Sequence, residues 1–212
     1  MEGTQSELEL LADEVRRIAG LDDDDFVVAT RLAARLLGPN AVALDTTQCN
    51  PAYLRVLDDG YQIVINPASG DMRFHVAHEV AEWALRSIAK FDGPHVLREQ
   101  AADRLAAAIL APRAAVRSAH ATIGERIPKL AARFGISQTA IVLRLAEVHG
   151  DERAVVTRTG NVMIRTQGAF PWAEVPVVSV ARGEARWAGL AKAKLRGGID
   201  EGRVALRAVG VE

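Results

Sequence analysis

One cysteine, Cys49, occurs in the 212 residues, so no disulfide can form within the chain. A lone thiol suits a reducing compartment, where it serves as a small apolar residue rather than as a nucleophile. Aromatic residues make up only 5% of the sequence, and alanine is plentiful, a composition that favours helices. Neither charge sign dominates. Lys and Arg number 26 against 27 Asp and Glu, so the net charge of -1 recruits no particular partner. No uninterrupted apolar stretch is long enough to span a bilayer, and MEGTQSELEL has no basic region followed by an apolar core. The expectation is a cytoplasmic protein with no membrane partner. Internal repeats and low-complexity tracts are also missing. What is present, 49% hydrophobic and 25% charged residues, matches a globular protein with an ample core.

The pattern along the chain predicts an α+β fold. It is mainly helical, with a small antiparallel sheet, a helix-turn-helix-like pair over 125–148 and a β-rich C-terminal region. Residues 1–150 form the expected main domain and 151–212 a small basic one. Ser6 with Glu9 reads as a capping box for a first helix, and Gly38-Pro39 stops a second over 26–37. The acidic run Asp22–Asp25 lacks the alternating spacing of a calcium loop and reads as a solvated turn. Two runs, 53–57 and 61–65, flank Asp58-Asp59-Gly60 as a β-hairpin, with Val64 and Ile65 as a possible edge for an extended substrate. Asp71 can cap a helix over 72–89, and a further helix over 95–110 ends before Pro112. Later predicted elements are a hairpin over 154–165, a strand over 175–180, a basic helix over 185–195 and a last strand over 204–211.

The chemistry concentrates in His75-Val76-Ala77-His78-Glu79-Val80-Ala81-Glu82-Trp83-Ala84. At about 100° per residue, positions 75, 78, 79 and 82 share one helix face. Two imidazoles and two carboxylates bury a helix badly but suit a divalent metal beside a base. The run is the zinc-peptidase pattern HExxH with glutamate in the last position. His78 and Glu82, at i and i+4, can grip one ion, and Glu79 is then the natural base for a metal-activated water. Glu99, on the next helix, offers a third ligand. Asp103, one turn further, can bond the far nitrogen of His78 and fix its tautomer. His75 is an alternative ligand. Zinc is the first expectation. Because His-Glu-Glu is a harder set, manganese or another divalent ion is the alternative. A third possibility is no functional metal, with the polar face paired to cations such as Arg73 or Arg98. Tyr61 and His95 are candidate oxyanion donors by chemistry alone.

The ordered set Arg73-Phe74, His78-Glu79, Glu99, Ala102-Asp103, Ala106-Ala107 and Ala111-Pro112 resembles the ImmA/IrrE family of metallopeptidases over roughly residues 26–148. The resemblance implies a zincin-like fold, Glu79 as base, and His78 and Glu99 as ligands. It also implies a protein substrate, typically a helix-turn-helix repressor whose cleavage releases stress or mobile-element genes. The chain departs from the family at Glu82, where members carry histidine.

Residues Ile127–Leu145 resemble a DNA-binding helix-turn-helix, in which Gln138 and Thr139 would reach bases and Arg144 a phosphate. The second helix is nevertheless largely apolar, so packing is the favoured role and nucleic acid the less favoured partner. Arg182, Arg186, Lys192, Lys194, Arg196, Arg203 and Arg207 make the C-terminal segment basic, with a solvated face as the default reading. Trp172 and Trp187 read as small-domain core. Two functions follow: a metal-dependent regulatory endopeptidase, or a catalytically inactive peptidase-fold regulator that binds a repressor or DNA.

Overall fold

The computed structural model describes residues 5–22, 27–124, 126–149, 153–156, 162–165 and 207–210. The predicted strand over 175–180, the basic helix over 185–195, Asp23 to Asp25, Trp172 and Trp187 all lie outside these. The chain divides into two compact units, Met1–Thr122 with Ala132–Ile136, and Ile123–Ala131 with Ser137–Glu212.

In the first unit, helix α1 spans Gln5–Ile18 and α2 spans Ala29–Leu37. Ser6 therefore lies inside α1 and does not precede it as a cap. Gly38, with φ of 101°, ends α2 where an L side chain would be strained. Strands β1 (Val42–Leu44), β2 (Ala52–Leu57) and β3 (Gly60–Ile65) form a sheet in the order β1-β3-β2. The β2–β3 hairpin is antiparallel, as its turn residues predict. The third strand is the surprise. β1 pairs with β3 in parallel, Val42 opposite Ile63, so the sheet is mixed rather than antiparallel. That places β3 in the centre, with Ile63, Val64 and Ile65 fully buried. Val64 and Ile65 are therefore not an open edge for a substrate strand, because both neighbouring positions are taken.

Asp71 caps α3 (Met72–Ser87) by accepting the Phe74 amide at 3.2 Å, as its sequence position predicts. Helix α4 spans His95–Leu110. The facing sides of the two helices are rich in small residues, with Ala77, Ala81 and Ala84 on α3 and Ala101, Ala102 and Ala106 on α4 buried. Short side chains let the backbones approach closely, which brings the polar residues of both helices within bonding reach. A helix absent from the sequence reading, α5 (Arg113–Ile123), follows Pro112 and buries Ala115, Val116 and Ala119.

The helix pair itself is as expected, with α6 over Ile127–Phe134 and α7 over Gln138–His149. Ser137 caps α7, its hydroxyl accepting the Ala140 amide at 3.1 Å. Gly135 in the turn has φ of 62°, the left-handed region that favours glycine, and a Cβ there would displace the Arg73 side chain. In the second unit, α7 packs against β4 (Arg153–Val156). That strand lies between β5 (Val162–Arg165) and β6 (Arg207–Gly210), antiparallel to the first and parallel to the second.

Candidate metal and catalytic site

Helices α3 and α4 run antiparallel, and their polar residues form a ladder. His78 meets Asp103 and Glu99, and one turn along α3, Glu82 meets Arg98, one turn back along α4. His78 Nδ1 stands 2.9 Å from Asp103 Oδ1. A carboxylate can only accept, so Nδ1 carries the hydrogen and donates it. In the neutral ring this leaves a lone pair on Nε2. Nε2 faces Glu99 Oε2 at 3.4 Å. His78, Glu99 and Asp103 thus stand together as the two-helix reading requires.

Glu82 stands elsewhere in the ladder. It is only 3% exposed. Arg86 reaches its Oε2 from Nε at 2.9 Å and from Nη2 at 2.8 Å. Arg98 Nε lies 3.1 Å from Oε1 and 3.2 Å from Oε2. Both oxygens are therefore engaged by guanidinium groups. The assignment of Glu82 as a metal ligand is corrected here, since its lone pairs are committed and two cations beside it repel a third. Arg98 was within reach of the sequence reading. Arg86 was missed, although its i+4 spacing from Glu82 was a usable signal.

The His75 side chain makes no hydrogen bond or ion pair with a described residue, and it does not join His78 and Glu99. Tyr61 pairs with Val56 in the β2–β3 ladder, and its side chain likewise makes no hydrogen bond with a described residue. His95 does enter the site, its Nε2 lying 3.3 Å from Glu99 Oε1. Of the residues proposed to contact DNA, Gln138 is partly exposed at the start of α7. The side chain of Thr139 lies outside the described set. Arg144 is 1% exposed and lies 3.3 Å from Glu147, so its assignment as a phosphate contact is corrected, because no phosphate reaches a buried guanidinium.

Glu79 is 8% exposed, and no hydrogen bond from a described residue reaches its carboxyl group. Burial raises its pKa from 4.5 to about 7. Nearby His78 opposes the shift, while Glu82 and Glu99 add to it. For His78, burial works downward. The hydrogen bond and charge of Asp103, with the charges of Glu79 and Glu99, outweigh it and raise the pKa. Both shifts have the same sign for stability. The folded state holds these protons more tightly than the unfolded state, so stability falls as pH rises through the window. For Glu79 the window runs from 4.5 to about 7. The loss across it is on the order of 3 kcal/mol at 1.36 kcal/mol per unit. In chelator-treated protein, Glu79→Gln should match the parent near pH 4 and exceed it near pH 8. Urea titrations at both pH values check this, and equal stability at pH 8 would refute it.

An HExxE helix packed antiparallel on a glutamate helix beside a small mixed sheet defines a metallopeptidase-type domain of zincin-like form. The sequence model of the M78 peptidases, described as an IrrE N-terminal-like domain, matches residues 34–146. That is just over half of the chain, and the protein belongs to this family. Among solved structures, a Mycobacterium tuberculosis transcriptional regulator has a similar fold, with a TM-score of 0.59 at 19% identity. The similarity covers 80% of this chain and 58% of that one, so the chain spans less than two thirds of that regulator's length. No curated protein matches the sequence.

For the divalent metal that this family implies, the residues divide. Glu82 does not fit, for the reasons above. His78 and Glu99 do fit. A nitrogen and an oxygen bound to one tetrahedral ion at about 2.0–2.1 Å each lie about 3.3 Å apart. The observed 3.4 Å is close to that value. The Asp103 partner on the far nitrogen is the support that a ligating imidazole usually has. Among the described residues, no group of three or more His, Cys, Asp or Glu side chains is placed to hold a metal ion.

Proposed function

We propose that this protein is a metal-dependent regulatory endopeptidase of the ImmA/IrrE type that cleaves a protein substrate, a helix-turn-helix repressor. The observation that supports this most is the two-sided placement of His78, with Nε2 on Glu99 and Nδ1 on Asp103. When bound, zinc, or manganese in its place, would be held by His78 and Glu99 and would supply Lewis acidity and a more acidic water. Asp103 holds the His78 ring in one tautomer. Glu79, beside His78 and with no side-chain hydrogen bond to a described residue, takes a proton on its carboxylate as water attacks the peptide carbonyl. It then returns that proton to the leaving amide nitrogen. The lone Cys49 and the absence of a membrane-length apolar helix among the described residues are in keeping with work in the cytoplasm.

The clasp of Arg86 and Arg98 on Glu82 favours a second reading, in which the peptidase fold binds a repressor or DNA without cutting. Cleavage discriminates the two. Zinc-loaded protein should cut a helix-turn-helix repressor, and chelation should stop it. A zinc-loaded protein that binds such a repressor but leaves it whole would support the regulator instead. DNA binding would appear as retardation lost on Gln138→Ala, and its absence in a gel shift would remove that branch.

A further inference from the structure

We infer that Arg86 and Arg98 form a carboxylate-binding site, one that takes an Asp or Glu side chain of the protein substrate close to His78 and Glu99. That the side chain belongs to a substrate rests on the function proposed above; that the pair binds a carboxylate does not. Two guanidinium groups converge from α3 and α4 on one buried carboxylate, Glu82, which leaves one positive charge unbalanced. A single arginine in bidentate contact already satisfies a carboxylate. The second is surplus, and Arg98 is only 21% exposed. Holding a surplus cation largely out of water is costly unless an anion meets it.

The hydrogen bonds give the same answer. Arg98 donates to Glu82 only from Nε, and Arg86 only from Nε and Nη2. Both Nη groups of Arg98 and Nη1 of Arg86 make no hydrogen bond or ion pair with a described residue, and none of them is sealed from solvent. Glu82 pins both guanidinium groups in place, so little freedom is left to lose on binding. The two Nη groups of Arg98 form a fork that matches the two oxygens of a carboxylate, and one negative charge cancels the one in excess. Val96 and Leu97, beside Arg98 in the first turn of α4, are exposed at 65% and 44%. Apolar surface next to the cation pair suits an acidic side chain carried by a polypeptide rather than a free inorganic ion. The pair also reaches the candidate base, since the charge of Arg86 acts on Glu79. Glu82 follows His78 by one turn, about 6 Å along the helix. An extended chain covers that distance in about two residues at ~3.3 Å each. The acidic residue therefore lies about two positions from the bond to be cut.

The test is a titration of nitrogen-labelled, chelator-stripped full chain at fixed ionic strength, read on the arginine Nε–H resonances. The probes are N-acetyl-aspartate amide, N-acetyl-asparagine amide and inorganic phosphate. The aspartate probe should shift the Arg86 and Arg98 signals along one saturable curve. The asparagine probe should shift neither, and phosphate should bind no more tightly than aspartate. Arg98→Gln, read on the Arg86 signal, should weaken aspartate binding about 10-fold, the low end for a hydrogen bond to a charged group. Arg86→Lys, at a half-exposed position, keeps the charge and loses the fork, and should also weaken it on the Arg98 signal. No saturable shift, equal shifts with asparagine, tighter binding of phosphate, or wild-type affinity in either folded variant would overturn the site. The titration contains no metal, so such a result leaves the His78–Glu99 reading to be decided by metal analysis.

Discussion

Glu82→Met should lower the free energy of unfolding by about 3 kcal/mol, the low end for removing one member of a buried ion pair. Glu82→His should do the same, and it should not repair the motif. The carboxylate is used by Arg86 and Arg98, and neither guanidinium has another hydrogen bond or ion pair among the described residues. An imidazole at 82 would face two cations, which hold it neutral, and its single acceptor nitrogen cannot replace the two charged oxygens that both guanidinium groups use. The loss stays at the low end because the Arg86 side chain is 46% exposed and can return to water. Arg98, 21% exposed and reaching from α4 to α3, has less freedom. Changing Glu82 and Arg98 together to apolar residues should cost far less than changing either alone, since no buried charge is then left unpaired. Urea denaturation of the three variants measures this. A Glu82→His protein as stable as wild type would show that the clasp carries no load.

The second large effect falls on chemistry. Zinc-loaded Glu79→Gln should lose cleavage of a repressor by about 10²- to 10⁴-fold, the usual contribution of a positioned base. It should bind zinc as wild type does. Glutamine keeps the size of the side chain but cannot take the proton. Because the Glu79 side chain makes no hydrogen bond with described residues, its replacement breaks none of these, and the fold should survive. Unchanged cleavage by Glu79→Gln would remove Glu79 from the reaction, whatever the metal content.

Much of this arrangement was legible before any coordinates. The helix cap at Asp71, the hairpin at Asp58-Asp59 and the helix ends at Gly38 and Pro112 are local signals, and each stands where the sequence places it. The Glu99 and Asp103 contacts were legible because helical spacing fixes which residues share a face. What was not legible depended on neighbours distant in sequence. The parallel pairing of β1 put β3 in the middle of the sheet, and no periodicity in Val64-Ile65 distinguishes a central strand from an edge. Arg144 looks like a phosphate contact by residue type, but tertiary packing buries it. The fate of Glu82 was decided by Arg98 across the helix interface. A carboxylate at a metal position and a carboxylate between two arginines have the same sequence signature in α3 alone.

The central claim is that His78 and Glu99 hold a metal although Glu82 does not. Metal analysis of protein purified without chelators or an affinity-tag metal, then reconstituted with zinc, tests it most directly, with His78→Ala and Glu82→Gln alongside. One zinc per folded chain in wild type and Glu82→Gln, and none in His78→Ala, is the predicted result. No zinc in folded wild type after reconstitution would contradict it.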